Sequence, residues 1–430
     1  MRQIAPVTSP LNLSLSVPGD KSISHRALLF TVFTEGVSKI RHLGTGADIQ
    51  STIRVLRQLG MKIDYSSDGN SAEIHSTGLD GLSHPDSDLD CGNSGTTMRL
   101  MAGLLAGRPF RSALSGDESL RSRPMKRIVE PLESMGASIK ARQEGTAPLE
   151  ISPAELTGID YTMPVASAQV KSAIILAGLQ ADGKTLIREQ TIARRHTEEM
   201  LRQFGASTEI EGPVITIEPL SDLLKAYDFV VPGDPSSAAF WAAAAAISPG
   251  STCTIEDIHL STERIGFYRA LSAMGAQVDI QILNSSIEPR GNIKVTARDL
   301  YGITLDGEDV PGMIDELPLV AVLGAYAHGT TTVLQAEELR HKECDRIRAI
   351  CHNLQAMGID ITEYQDGFEV TGGISPKGAK LDSFGDHRIA MAFAVAAMAA
   401  EGPSQMINPE AASISYPEFW RILDNLGQDS

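Results

Sequence analysis

Apolar positions along the chain fall into a repeated figure. The pattern Leu-x-x-apolar-Gly begins at Leu56, Leu132, Leu201, Leu271, Leu354 and Leu423 and ends at Gly60, Gly136, Gly205, Gly275, Gly358 and Gly427, with successive starts 69 to 83 residues apart. In each copy the leucine and the apolar residue three positions later share a helical face, and the glycine suits the left-handed position that ends a helix. A strand is expected next. Residues 137–141 and 276–280 alternate apolar and polar side chains, as a strand with one buried face does. One such motif marks only the end of an amphipathic helix. Six at near-regular spacing predict six units that mix helix and strand.

A second repetition divides the six into two halves. Val17-Pro18-Gly19-Asp20 and Val231-Pro232-Gly233-Asp234 each precede a stretch that reads as a helix. The Pro-Gly pair is a turn signal, the aspartate can cap the helix, and Pro235 fits a first helical turn. The expected organisation is an inserted domain at residues 19–230 and a second domain formed by residues 1–18 with 231–430. The N-terminal strand would cross to the second domain. The longest apolar run, 238–247, is 10 residues and mostly alanine, which is short of the ~20 that span a bilayer. It predicts a buried helix.

Composition supports ordinary packing, with 430 residues and 42% hydrophobic side chains, enough for two or three domains. The start, Met1-Arg2-Gln3-Ile4-Ala5-Pro6, has no apolar core of a signal peptide, so a cytoplasmic protein is expected. Cys91, Cys253, Cys344 and Cys351 form no Cys-x-x-Cys pair and no dense framework, which argues against disulfides and structural zinc.

Charge changes the picture more. The formal net charge is −17, which disfavours nucleic acid and anionic membranes as partners. The cations nevertheless gather in Asp20-Lys21-Ser22-Ile23-Ser24-His25-Arg26, Arg121-Ser122-Arg123, Arg194-Arg195-His196, Arg340-His341-Lys342-Glu343-Cys344-Asp345-Arg346 and Asp386-His387-Arg388. Local cationic patches in an acidic protein suit small anions, phosphates or carboxylates, held in a cleft. The patches divide between the two halves, so a shared site would lie in the interdomain cleft, where ligands can drive closure.

Several motifs refine this. Lys21 to Arg26 offers an ammonium, two hydroxyls and a guanidinium at a helix start, where the backbone already favours anions; a capped surface helix with solvated charges explains it as well. Gly92-Asn93-Ser94-Gly95-Thr96-Thr97-Met98-Arg99 permits close backbone approach but lacks the Gly-Lys-Ser/Thr ending of a nucleotide loop, so nucleotide hydrolysis is disfavoured. Ser167-Ala168-Gln169-Val170-Lys171-Ser172 places hydrogen-bonding groups before an apolar helix; capping accounts for the serine and leaves Gln169 over. Asp315-Glu316 and Glu343 stand apart, because a pure anion binder gains nothing from carboxylates among its cations. Proton transfer would use them. Ion pairing of Glu343 with Arg346 on a helix surface, three residues apart, accounts for Glu343 equally well.

Together these strings resemble the 5-enolpyruvylshikimate-3-phosphate synthases (3-phosphoshikimate 1-carboxyvinyltransferases) over essentially the full chain. The carriers are Pro18 through Arg26, Gly92 through Thr96 with Arg99, Ser167-Ala168-Gln169, Lys342 through Arg346 and Asp386-His387-Arg388. The resemblance implies a mixed α/β fold, a two-domain inside-out α/β barrel with three helix-and-strand units per domain. It implies transfer of the enolpyruvyl group of phosphoenolpyruvate to the 5-hydroxyl of shikimate 3-phosphate in aromatic amino acid biosynthesis, with no metal or cofactor. Lys21, Ser22, Arg26, Ser167, Ala168, Gln169, Arg194, Asp315 and Lys342 would hold shikimate 3-phosphate. Lys21, Gly95, Arg123, Gln169, Arg346 and Arg388 would hold phosphoenolpyruvate. Asp315, Glu343 and Lys21 would be catalytic. Ile414, in place of a late lysine, and Arg123 before Pro124 match the family's second class. A monomer is expected, with neither nucleic acid nor membrane as partner. The alternatives are the sister transferase acting on UDP-N-acetylglucosamine, whose loop cysteine has no counterpart near Arg121 to Arg123, and an RNA-end cyclase-like or non-catalytic anion-binding protein of the same fold.

Overall fold

The structure is a computed structural model that describes residues 1–284 and 288–426. The chain divides into two compact units, Gly19–Val231 and a unit formed by Met1–Pro18 with Pro232–Ser430.

One rule builds the sheets of both. A strand pairs in parallel with the strand that follows a buried helix, and a hairpin then returns antiparallel. In the Gly19–Val231 unit, Leu89–Asp90 runs parallel to Ser112–Ser115, whose other side takes Leu149–Ser152 and then Ser138–Lys140 antiparallel. The order Asp160–Met163, Thr185–Glu189, Val214–Ile217, Thr208–Glu211 repeats it. The third sheet ties the ends of the unit together: Thr34–Arg41 takes Leu224–Lys225 and Asp228–Val230 as parallel partners, with Ser71–Thr77 and Lys62–Tyr65 completing it. Parallel neighbours need a crossover, and the helices supply it.

The other unit follows the same scheme. Asn12–Leu15 lies parallel to Thr252–His259, beside Arg290–Thr296 and Gln277–Asn284. Thr304–Leu305, Thr330–Val333, Gly367–Thr371 and Asp360–Tyr364 form the second sheet. In the third, Lys380–Asp382 is parallel to Ser404–Ile407 and Arg2–Ile4 is antiparallel to it, giving three strands among the described residues.

Two kinds of helix serve these sheets. The first in each repeat occupies the core, and all but Lys21–Leu29 are mainly apolar: Pro235–Ala246, Leu317–Tyr326 and His387–Met398 in one unit, Lys21–Leu29, Gly95–Leu105 and Ala168–Gly178 in the other. A helix apolar all round has no face for water and must be buried. All twelve residues of Pro235–Ala246 are buried, including the 238–246 part of the expected run. Close approach demands a glycine where two such helices meet, since a Cβ on Gly103 would lie 2.1 Å from the carbonyl oxygen of Ala173. The second helix of each repeat is amphipathic and carries the Leu-x-x-apolar-Gly motif. Gly60, Gly136, Gly205, Gly275 and Gly358 follow Ala47–Gln58, Lys126–Ser134, His196–Gln203, Gly266–Ala273 and Arg346–Ala356, all at φ between +81° and +113°. Leu423 lies on Phe419–Asn425, and Gly427 is outside the described residues.

One expectation fails in detail. The 276–280 segment is a strand, Gln277–Asn284, but its apolar face is not buried: Val278 is half-buried, while Ile280 and Ile282 are exposed. It is the edge of its sheet. The eight residues of Gly266–Ala273 span about 12 Å as helix, whereas the eight of the strand span about 26 Å. The helix therefore covers only part of the strand. No helix among the described residues is long and apolar enough to cross a membrane.

Candidate active site

The buried helices of Gly19–Val231 begin with the residues that the sequence singles out. Asp20 caps Lys21–Leu29 by accepting from the Ile23 amide at 2.9 Å, Ser94 caps Gly95–Leu105, and Ser167 caps Ala168–Gly178. Each helix start favours anions through its unpaired amides and dipole. Side chains tie the three starts together. Gln169 accepts from Arg99 Nη1 at 2.6 Å and donates to Thr96 Oγ1 at 3.0 Å. Arg26 donates to Ser172 and Thr197, both at 2.7 Å, and to the Ser22 carbonyl at 2.9 Å. Thr52 links His25 and Thr97, each at 2.7 Å.

Cations line this surface with different degrees of freedom. Lys21 is half-buried and meets Asp48 at 3.0 Å. Arg123 is buried while its neighbour Arg121 is exposed; Arg123 donates to Asn93 Oδ1 at 2.7 Å and to Ser119 Oγ at 3.2 Å. Arg99 and Arg123 flank Gly95, for a Cβ there would lie 2.8 Å from one guanidinium and 3.4 Å from the other. Arg26 is buried, with three of its N–H groups turned to protein acceptors, so it braces the site as well as charging it. Arg194 is half-buried in the loop before His196–Gln203. Burial first, then the Lys21 and Arg26 charges, hold His25 well below the usual imidazole range, which leaves it neutral.

The unit of Met1–Pro18 and Pro232–Ser430 gathers carboxylates around one arginine. Arg346, 1% exposed in its side chain, meets Asp386 at 2.8 Å, Glu343 at 2.8 Å and Asp315 at 3.4 Å. Burial alone would depress its pKa, but Asp386, then Glu343 and Asp315, raise it on balance, so the guanidinium is permanently charged. The Glu343–Arg346 pair therefore exists, but Glu343 precedes the helix that Arg346 begins and the pair belongs to a part-buried cluster. Arg388 lies 3.7 Å from the buried Glu316. Lys342 keeps some open surface, yet it is crowded enough that burial lowers its pKa against the opposing pull of Asp315.

The sequence did not reveal the partners that aim these cations. Asp48, in the first turn of Ala47–Gln58, looks like an ordinary favourable helix-start charge. Asn93 and Asp386 lie within the cationic and glycine-rich motifs, where nothing marks them as partners of Arg123 and Arg346, and Glu316, a proton-transfer candidate in the sequence, lies buried beside Arg388. Buried Lys171 bridges Glu189 at 3.0 Å and Glu198 at 2.7 Å. One usable signal was the repeat itself: Arg123, Arg194, Arg264 and Arg346 precede the motif leucines of their repeats, Leu132, Leu201, Leu271 and Leu354, by nine, seven, seven and eight residues. Arg264 is buried and bonded to Asp234 at 2.8 Å and Ser236 at 3.1 Å.

Residues 6–423 match the family model for EPSP synthase (3-phosphoshikimate 1-carboxyvinyltransferase). A curated 3-phosphoshikimate 1-carboxyvinyltransferase of Syntrophomonas wolfei is 47% identical over 429 residues, covering 99% of this chain and 100% of its own. The solved EPSP synthase of Acinetobacter baumannii superposes with a TM-score of 0.88 at 38% identity, covering 99% of this chain and 98% of that one. The enolpyruvyl transferase NikO of Streptomyces tendae, at 17% identity and a TM-score of 0.79 over 99% and 97% of the two chains, shares the fold. The chain belongs to the EPSP synthase family.

Proposed function

We propose that the cations of one unit and the carboxylates of the other serve one reaction, the transfer of the enolpyruvyl group of phosphoenolpyruvate to the 5-hydroxyl of shikimate 3-phosphate with release of phosphate. The division of labour follows from charge. Each substrate carries a carboxylate and a phosphate worth about −1.5 to −2, so bringing them together needs fixed cations and helix N-termini. Shikimate 3-phosphate is held by Lys21, Ser22, Arg26, Ser167, Ala168, Gln169, Arg194, Asp315 and Lys342. Phosphoenolpyruvate is held by Lys21, Gly95, Arg123, Gln169, Arg346 and Arg388. We assign the reaction to the cytoplasm and to a monomer.

Glu343 gives a proton to C3 of phosphoenolpyruvate and Asp315 takes the proton of the 5-hydroxyl as its oxygen bonds to C2. The tetrahedral adduct then loses phosphate, steadied by Lys21, and returns a methyl proton to the Glu343 carboxylate, restoring the double bond. For Glu343 to donate, it must first be protonated, which the charge of the arriving phosphate favours against the pull of Arg346.

The observation that carries this reading is the convergence of Asp315 and Glu343 on Arg346, because two carboxylates beside an anion site add nothing to binding and supply an acid and a base. Phosphate release from phosphoenolpyruvate tests it. Release that requires shikimate 3-phosphate supports the reading; release that requires a UDP-sugar or ATP instead would overturn it.

A further inference from the structure

Beneath the anion-binding surface of Gly19–Val231 lies an ionic cluster that the reaction does not touch. The side chains of Lys171, Glu189 and Glu198 are all 0% exposed. Taking three ionisable groups out of water is costly unless they are mutually satisfied, and well-packed apolar residues often serve stability as well. A purely structural role therefore explains this cluster poorly.

Its contacts suggest what it does. Lys171 Nζ donates to the carbonyl oxygen of Ala193 at 3.0 Å, and Glu189 Oε1 accepts from the amide of Ala193 at 2.8 Å. The same two groups meet each other at 3.0 Å. Both backbone polar groups of one residue are thus gripped by a single buried ion pair, and the next residue in the chain is Arg194. Glu198, 2.7 Å from Lys171, gives the ammonium a second carboxylate. Lys171 is also anchored on Ala168–Gly178, the helix that begins at Gln169's neighbour and ties to Arg26 through Ser172. The cluster fixes the Arg194 loop to the helix start that carries Ser167 and Gln169.

We propose that Lys171 and Glu189 are positioning residues for the reaction: their buried clamp on the Ala193 peptide sets where Arg194 stands relative to Ser167 and Gln169, and so determines the affinity for shikimate 3-phosphate. The proposal rests on Arg194 binding that substrate. A loop held only by its own turns would spread the arginine over many positions, and each ordering cost would fall on binding. The clamp meets that cost during folding.

A double-mutant cycle on the full chain, read by titration calorimetry with shikimate 3-phosphate as the probe, tests the idea. Lys171→Met should raise the Kd about tenfold or more, as should Arg194→Ala, while the double variant should bind no more weakly than Arg194→Ala alone, since the clamp acts through that arginine. Glu189→Gln, which keeps the size and an acceptor for the Ala193 amide, replaces Lys171→Met in the cycle if the latter does not fold. Fully additive effects would overturn the positioning role, as would unchanged affinity in a folded Lys171→Met or Glu189→Gln. Unchanged affinity in Arg194→Ala would instead remove Arg194 from the substrate site, and the proposal with it.

Discussion

Arg346 and Asp386 meet in a buried ion pair, Nε to Oδ2 at 2.8 Å, and the other oxygen of the same carboxylate accepts from the backbone amide of Arg388 at 2.7 Å. One aspartate thus places both arginines assigned to phosphoenolpyruvate in this unit, the first by its charge and the second by capping His387–Met398. Asp386→Ala should lose both supports, about 3–5 kcal/mol for the broken buried pair and about 1 kcal/mol for the cap. Asp386→Asn keeps a capping oxygen and should be the milder lesion. Urea unfolding of the two variants ranks them; equal stabilities, or an Asp386→Ala protein as stable as the parent, would contradict this account.

Gly95 lies between two guanidinium groups, so an added methyl tests the geometry of the phosphoenolpyruvate pocket directly. In Gly95→Ala the new carbon would meet Arg99 Nη1 at 2.8 Å, and something must move. What moves is the far end of a flexible side chain and not backbone, so the fold should survive with an unchanged melting temperature. Crowding at Gly95, with Arg99 pushed from its bond to Gln169, should raise KM for phosphoenolpyruvate by about 10- to 100-fold and affect shikimate 3-phosphate less, since Gln169 is assigned to both substrates and Gly95 to phosphoenolpyruvate alone. Initial rates with each substrate varied in turn separate the two, and an effect confined to shikimate 3-phosphate would refute the placement.

The repeats were legible because they are set by local chemistry. A glycine ending a helix needs a left-handed backbone wherever it occurs, and Gly60, Gly136, Gly205, Gly275 and Gly358 all adopt it. Asp20 and Asp234 likewise cap the helices that their turns announce. The cationic strings could be read as anion sites for the same reason, since helix starts and glycine loops carry their chemistry in adjacent residues. What aims the cations could not. Lys21 and Asp48 are 27 residues apart, Arg123 and Asn93 are 30 apart, and Arg346 and Asp386 are 40 apart; such pairs are set by the packing of separate elements, within one repeat for the first two and between repeats for the third, and nothing in either member's local sequence marks its partner. The exposed face of Gln277–Asn284 is the converse case. Its alternation is real, but whether an apolar face is covered depends on the length of a helix elsewhere in the repeat.

The two carboxylates on Arg346 should separate by the step each serves. Asp315→Asn and Glu343→Gln should each lower kcat by about 10²–10⁴ with substrate affinities largely kept. They should differ in one isotopic measurement. Protonation at C3 followed by reversal exchanges a C3 hydrogen of phosphoenolpyruvate with solvent, so deuterium from heavy water should enter phosphoenolpyruvate turned over slowly by Asp315→Asn. Glu343→Gln should show almost none. Deuterium entering at the parent rate in Glu343→Gln would exclude that residue as the acid.

Lys342 gives the site a pH dependence whose sign can be worked out. Burial, partly opposed by Asp315 and assisted by Arg346, lowers its pKa below the usual 10.5, while Glu338 and Glu343 pull the other way. If Lys342 holds the shikimate 3-phosphate anion, binding favours the ammonium, so affinity is fully present while Lys342 is protonated in the free protein and falls as pH rises through its depressed pKa. Stability moves oppositely: with a folded pKa below the unfolded one, the buried ammonium weakens the fold at low pH, and that loss is relieved as pH climbs from the folded value to the unfolded one. Because kcat/KM reports groups of the free enzyme and kcat those of the complex, the alkaline fall should appear in kcat/KM for shikimate 3-phosphate below pH 10.5 and be weaker in kcat. Lys342→Arg, whose cation persists above pH 12, should bind more weakly for want of the right shape but lose that alkaline limb. A limb that survives the substitution at the same pH belongs to another group.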